Sequence, residues 1–180
     1  QNGNLSLGGM TIGRGNNNVP GNTALGNSAL ANVWAGINYN TAIGNWSLSS
    51  NTGGWDNTAI GNAALPANTI GMYNTAIGSN AMINNTWGNN NTAIGVQALA
   101  MNRTGQSNVA VGAKALFSNI SGNDNVAIGR IALSGSTGYN NVALWNYAGS
   151  GITSGSRNIA IGHNAQVLSP TSSDQLSIGN

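Results

Sequence analysis

Cysteine and glutamate are absent from this 180-residue chain, which has one histidine and only five basic and three acidic side chains. The missing thiols exclude disulfide frameworks and zinc-thiolate sites. Acid–base or nucleophilic catalysis would have only His163, Asp56, Asp124, Asp174, Lys114 and four arginines to draw on, so the chain is not expected to be an enzyme, to hold a metal or to bind a cofactor. The pI of 9.4 rests on those few charges spread along the chain. With no basic patch, nucleic acid is not an expected partner. Apolar runs stop at three or four residues, as at 142–145, which excludes a membrane-spanning helix, and no secretory pattern opens the sequence. Starting at Gln1 and ending at Asn180 without a tail, the chain is expected to be a segment of a longer fibrous protein.

What fills the sequence instead is glycine, present 27 times, and asparagine, which is more frequent still. They are ordered. A pentad of the type Asn-Thr-Ala-Ile-Gly begins at Asn22, Asn40, Asn57, Asn74, Asn91, Asn108, Asn125, Asn141, Asn158 and Gln175, at spacings of 18, five of 17, 16, 17 and 17. A degenerate copy, Asn-Leu-Ser-Leu-Gly from Asn4, precedes Asn22 by the same interval that separates Asn22 from Asn40. Repetition of this kind is the signature of a repeat architecture, so residues 1–180 form a single domain with no linker.

Numbering the leading Asn as column 1, column 2 is Thr23, Thr41, Thr58, Thr75 and Thr92 and then Val109, Val126, Val142 and Ile159, while column 3 is Ala and column 4 is Leu, Ile or Val. Column 5 is Gly except at Trp145; a small and an apolar residue follow in columns 8 and 9, as in Ala64-Leu65, and a second Gly recurs at the third position before the next Asn. Two β-branched columns and two glycines per period do not suit a helix. Each unit therefore reads as one coil of an all-β parallel β-solenoid, with like residues stacked about 4.8 Å apart, so that ten coils make a rod about 48 Å long. Stacked column 1 Asn side chains are placed to hydrogen-bond their neighbours up and down the rod. Columns 2 and 4 share a face and column 3 points the other way. We expect columns 2 and 4 inside and the column 3 Ala as a flat outer stripe that a homotrimer would cover; the alternative puts column 3 inside and turns columns 2 and 4 toward a partner. On the first arrangement, Ala76→Glu is expected to dissociate or misfold the assembly.

The motif Asn-Thr-Ala-Ile-Gly-x-x-Ala-Leu, recurring in register along nearly the whole chain, resembles the head repeats of trimeric autotransporter adhesins of the YadA type and, more closely, the related arrays in tail fibres of phages and prophages. The resemblance implies a left-handed β-roll, three chains side by side, and attachment to a bacterial or host cell surface, with a virion tail fibre favoured over the bacterial outer surface. Adhesin-head units are usually shorter than the repeat found here, and the closing segment from Thr171 looks like the end of phage-type arrays.

Trp34, Tyr39, Trp55, Tyr73, Trp87 and Tyr139 fall in columns 13 to 18, where a stacked corner would line them along one edge as candidate contacts for a surface glycan or protein: flat rings for sugar faces, Asn amides for hydroxyls. Trp46 and Tyr147 fall in column 7. Trp145 replaces the column 5 Gly in the coil after the one-residue deletion and reads as a packing irregularity, strained if the corner demands positive φ. His163 lies in variable column 6 with no second ligand nearby, and the three Asp, each last in its unit, read as turn residues too far apart for a calcium site or a glycosidase carboxylate pair. Ice binding would need a Thr column longer than Thr23 to Thr92, and a spacer without ligand is the remaining class. Six Asn-x-Ser/Thr sequons are what the composition gives by chance.

Overall fold

The computed structural model describes residues 4–8, 10–15, 19–34, 36 and 39–179; the terminal Gln1 and Asn180 lie outside them. Twelve strands form one sheet in sequence order and no helix occurs among the described residues. From β3 (Thr23–Asn27) through β4 (Thr41–Ile43), β5 (Thr58–Ile60), β6 (Thr75–Ile77), β7 (Thr92–Ile94), β8 (Val109–Val111), β9 (Val126–Ile128), β10 (Val142–Leu144) and β11 (Ile159–Ile161) to β12 (Leu176–Ile178), every neighbouring pair is parallel, one repeat apart. The protein is a β-solenoid. Ile60 pairs with Ile77 and Ile77 with Ile94, the stacking that the invariant spacing predicts. Nine steps at about 4.8 Å give a sheet about 43 Å long.

The N-terminal copy does not join the stack. β1 (Leu5–Leu7) pairs antiparallel with β2 (Met10–Gly13), which pairs antiparallel with β3, so an extra strand separates the Asn4 copy from the Asn22 coil. The side chain of Asn4 accepts from the backbone N–H of Arg14 at 2.7 Å and donates to the Gly15 carbonyl, closing this hairpin rather than extending the column 1 ladder.

The expectation that columns 2 and 4 face inward is overturned. Ala42, Ala59, Ala76, Ala93, Ala110, Ala127, Ala143 and Ala160 are all 0% exposed within the single chain, whereas Thr41, Ile43, Thr58 and Ile60 are half-exposed. The reason is the size of the coil. Its interior already holds the column 9 ladder of Leu48, Leu65, Met82, Leu99, Leu116 and Leu133, the small side chains of column 8, and two files of Asn, so only a methyl group fits on the inner side of each strand. The rationale of an exposed Ala stripe falls with this; the alternative placement, column 3 inside and columns 2 and 4 outside, is the one observed.

Each coil closes through tight turns. The column 8 N–H donates to the column 5 carbonyl (Ala64 to Gly61, 3.4 Å) and the column 12 N–H to the column 9 carbonyl (Asn85 to Met82, 3.1 Å). Ala63, Asn80 and Gln97 in column 7, and Leu65, Met82 and Leu99 in column 9, all hold positive φ in the left-handed region. A left-handed non-glycine residue costs about 1–2 kcal/mol, a cost that burial and stacking of the Leu ladder offset. In both glycine columns a Cβ would meet the next coil's carbonyl oxygen, at 2.7–2.8 Å from Gly61, Gly78 and Gly95 and at 2.5 Å from Gly71 and Gly88, so there is no space for a side chain; Gly61, Gly78 and Gly95 in addition sit at φ 130–133°, a region that favours glycine.

Both Asn files are buried and bonded. In column 1, Asn74 donates its Nδ2 to Asn57 Oδ1 (3.1 Å) and to the Gly88 carbonyl (2.8 Å), while its Oδ1 accepts from the backbone N–H and Nδ2 of Asn91 (3.1 and 3.2 Å). The expected column 1 ladder is thus present. A second file, Asn51, Asn68, Asn85, Asn102 and Asn119 in column 12, carries the same Nδ2-to-Oδ1 chain at 2.7–2.9 Å. That file went unread in the sequence although its members recur at the same interval as the column 1 Asn. It stops where the Asn125 coil is one residue short: Ser136 replaces the amide and Asn119 Oδ1 is left buried without a donor.

Candidate functional site

Chemistry on this scaffold is confined to what the corners project, because the interior is filled by Ala, Leu, Asn and Gly. The six candidate aromatics are exposed, but they do not stand in one row. A buried glycine column, Gly54, Gly71, Gly88 and their equivalents, divides the variable corner. Trp34 and Trp87 precede it, in coils three apart; Tyr39, Trp55, Tyr73 and Tyr139 follow it, at the N-terminal end of the strands.

Three of these lie in neighbouring coils, and two of them meet. Tyr39, Trp55 and Tyr73 occupy successive coils, the Tyr39 ring lies against Gly21, and the Trp55 and Tyr73 rings meet at 5.2 Å between centroids with planes at 59°. Asp56 stands between the two tyrosines in the last column, where every coil takes positive φ (Tyr39 63°, Asp56 54°, Tyr73 59°, Asp124 57°, Asp174 60°). The turn role expected for the three Asp fits this geometry, since Asp and Asn tolerate the left-handed region. Further along the same edge, Arg157 makes a bidentate pair with Asp174, at 2.7 and 2.8 Å. Hydrogen bonding to Arg157 holds the Asp174 carboxyl below the usual carboxylate range, and Asp174 first, then Tyr139, raises Arg157. The pair is solvent-exposed and contributes little to stability.

No protein-family model, curated protein or solved structure matches this chain. Among the described residues no cluster of three or more His, Cys, Asp or Glu could hold a metal ion, and no helix is long and apolar enough to cross a membrane.

The opposite edge, columns 5 to 7 at the C-terminal end of the strands, holds the residues that sequence reasoning set aside. Trp145 has φ 107°, where the column 5 glycines of the regular coils hold 129–135°. It is strained, as expected, and 66% exposed within the single chain. Trp145→Gly should therefore stabilise the protein: relief of about 1–3 kcal/mol of backbone strain exceeds the entropic disadvantage of glycine, about 0.5–1 kcal/mol. A melting temperature raised by about 2–4 °C checks this by calorimetry, and an unchanged or lower value would show that the corner is unstrained or that the ring contributes to packing. Beside Trp145, Arg130 donates to the Tyr147 hydroxyl with its guanidinium 5.2 Å from that ring's centroid, and the His163 ring meets Tyr147 edge-on at 6.3 Å.

Proposed function

We propose that this chain is a surface-attachment segment of a trimeric fibre of the phage-tail type, with the head of a bacterial trimeric adhesin as the alternative setting. The observation that carries the reading is the outer face of the sheet. Columns 2 and 4 lay Thr, Val, Ile and Leu side by side over nine coils with no charged residue among them, and Leu25, Ile94, Ile128 and Ile159 are among the exposed large hydrophobics. A patch of that length and regularity on a soluble rod favours burial against a surface with the same repeat, and another copy of the chain has that repeat. Three copies side by side, as the resemblance implies, and meeting along columns 2 and 4 would leave the corners outward, with Tyr39, Trp55 and Tyr73 as a ring surface for glycans.

Light scattering on the purified chain is expected to give three times the 18.1 kDa chain mass. Ile77→Glu places a charge at the middle of the outer face and should yield a folded single chain, with β-sheet circular dichroism retained. A wild-type chain at 18.1 kDa at micromolar concentration would sink the trimer. A trimeric Ile77→Glu variant would sink this face as the interface. Attachment is read separately: the Tyr39→Ala, Trp55→Ala, Tyr73→Ala triple variant should lose binding to immobilised lipopolysaccharide with little change in melting temperature, each ring contributing about 0.5–1.5 kcal/mol.

A further inference from the structure

The geometry points to a second binding site, for a uronate-bearing saccharide, built from Arg130, Trp145, Tyr147 and His163 on the column 5 to 7 edge. These four come from three successive coils, so stacking fixes their spacing without any loop. Arg130 is held rather than free: its backbone N–H is bonded to Asn146 Oδ1 at 3.0 Å and its guanidinium to the Tyr147 hydroxyl. Even so, the guanidinium has no carboxylate partner; the one ion pair among the described residues is Arg157 with Asp174. All three acidic side chains stand in the last column, at the other end of the strands, while Lys114 adds a further cation to this edge one coil before Arg130.

An anion arriving here meets positive charge with no competing carboxylate. The fork of a guanidinium matches a planar carboxylate in two-point contact. The rings account for the rest of the ligand. Trp145 offers a large exposed face, Tyr147 stands between Arg130 and His163, and the exposed Asn146 keeps its Nδ2 for a hydroxyl. Aromatic faces beside an amide suit a pyranose ring, and the carboxylate on that ring gives Arg130 its partner. The strain at Trp145 supports the same conclusion: a non-glycine residue kept in a glycine conformation, without burial, points to a use other than packing.

Isothermal titration of the full chain with trigalacturonate tests the site, with galactotriose as the neutral counterpart and acetate as the carboxylate alone. Trigalacturonate is expected to bind, galactotriose about tenfold more weakly or worse, and acetate not measurably. Arg130→Gln, which removes the charge at an exposed position, should bring trigalacturonate down to the galactotriose level. Trp145→Gly should lose both sugars while its melting temperature rises, which separates lost binding from lost folding. No binding of trigalacturonate at millimolar concentration, equal binding of the neutral sugar, binding by acetate as strong as by the sugar, or an undiminished affinity in either variant would each overturn the site. None of these readouts depends on chain mass or on Tyr39, Trp55 and Tyr73, so failure here leaves the trimer and the other corner standing.

Discussion

Ala76→Glu is expected to destroy the fold of the single chain, whatever its oligomeric state. Ala76 is 0% exposed, between Ala59 and Ala93 on the inner side of the sheet and within the cluster that includes the Leu ladder. A carboxylate there loses its hydration with no cation within the coil, at a cost of several kcal/mol, and the added methylenes overpack a space sized for a methyl at about 1–3 kcal/mol more. Together these rival the total stability of an ordinary domain, about 5–15 kcal/mol. Expression should give insoluble protein, or soluble protein without β-sheet circular dichroism. Recovery of a folded single chain from this variant would instead place column 3 at an interface between chains.

The second large effect belongs to Asn74→Ala. Losing this amide removes the acceptor of the buried Asn91 N–H and the column 1 donor to the Gly88 carbonyl. A buried polar group left unsatisfied costs about 1–3 kcal/mol, so the loss should be about 2–6 kcal/mol, reduced to the extent that the bond from Asn85 still serves Gly88. Asn74→Asp is expected to fare no better, because a carboxylate cannot donate to the Gly88 carbonyl and would be buried as an ion. Chemical denaturation of both variants measures this. A loss below about 1 kcal/mol would mean that the file is a spectator of the backbone pairing.

Coil length, parallel register and the column 1 ladder were legible in the sequence because each is a local pattern repeated in step. Orientation was not. Alternation along Thr-Ala-Ile shows that two faces differ without saying which is inner, and the preference for bulk inside misleads when so short a coil already fills its interior from columns 1, 8, 9 and 12. The two aromatic sets divided for a similar reason: only the fold reveals that a buried glycine column runs between Trp87 and Tyr73. For the opposite edge a signal existed, since Tyr147 follows Arg130 by one full period and His163 follows by 16 more, but judging His163 and Trp145 each within its own unit hid that they are neighbours. The N-terminal copy misled because a matching pentad at Asn4 carries no information about the strand inserted after it.

Both Asn files have a direction. From Asn57 to Asn125 and from Asn68 to Asn119 each Nδ2 donates to the Asn of the preceding coil, and the assignment is fixed by its surroundings, since the same nitrogen faces a glycine carbonyl and, in column 1, the oxygen faces a backbone N–H. The amide dipoles therefore add head to tail, polarising one another as the row lengthens. Every finished coil presents unfilled acceptors on its C-terminal side and has used its donors on the other. A ribosome delivers the coils in that same order, so each newly emerged Asn meets an oxygen already held in place: the stack is a template that reads in one direction, from Asn22 toward Gln175.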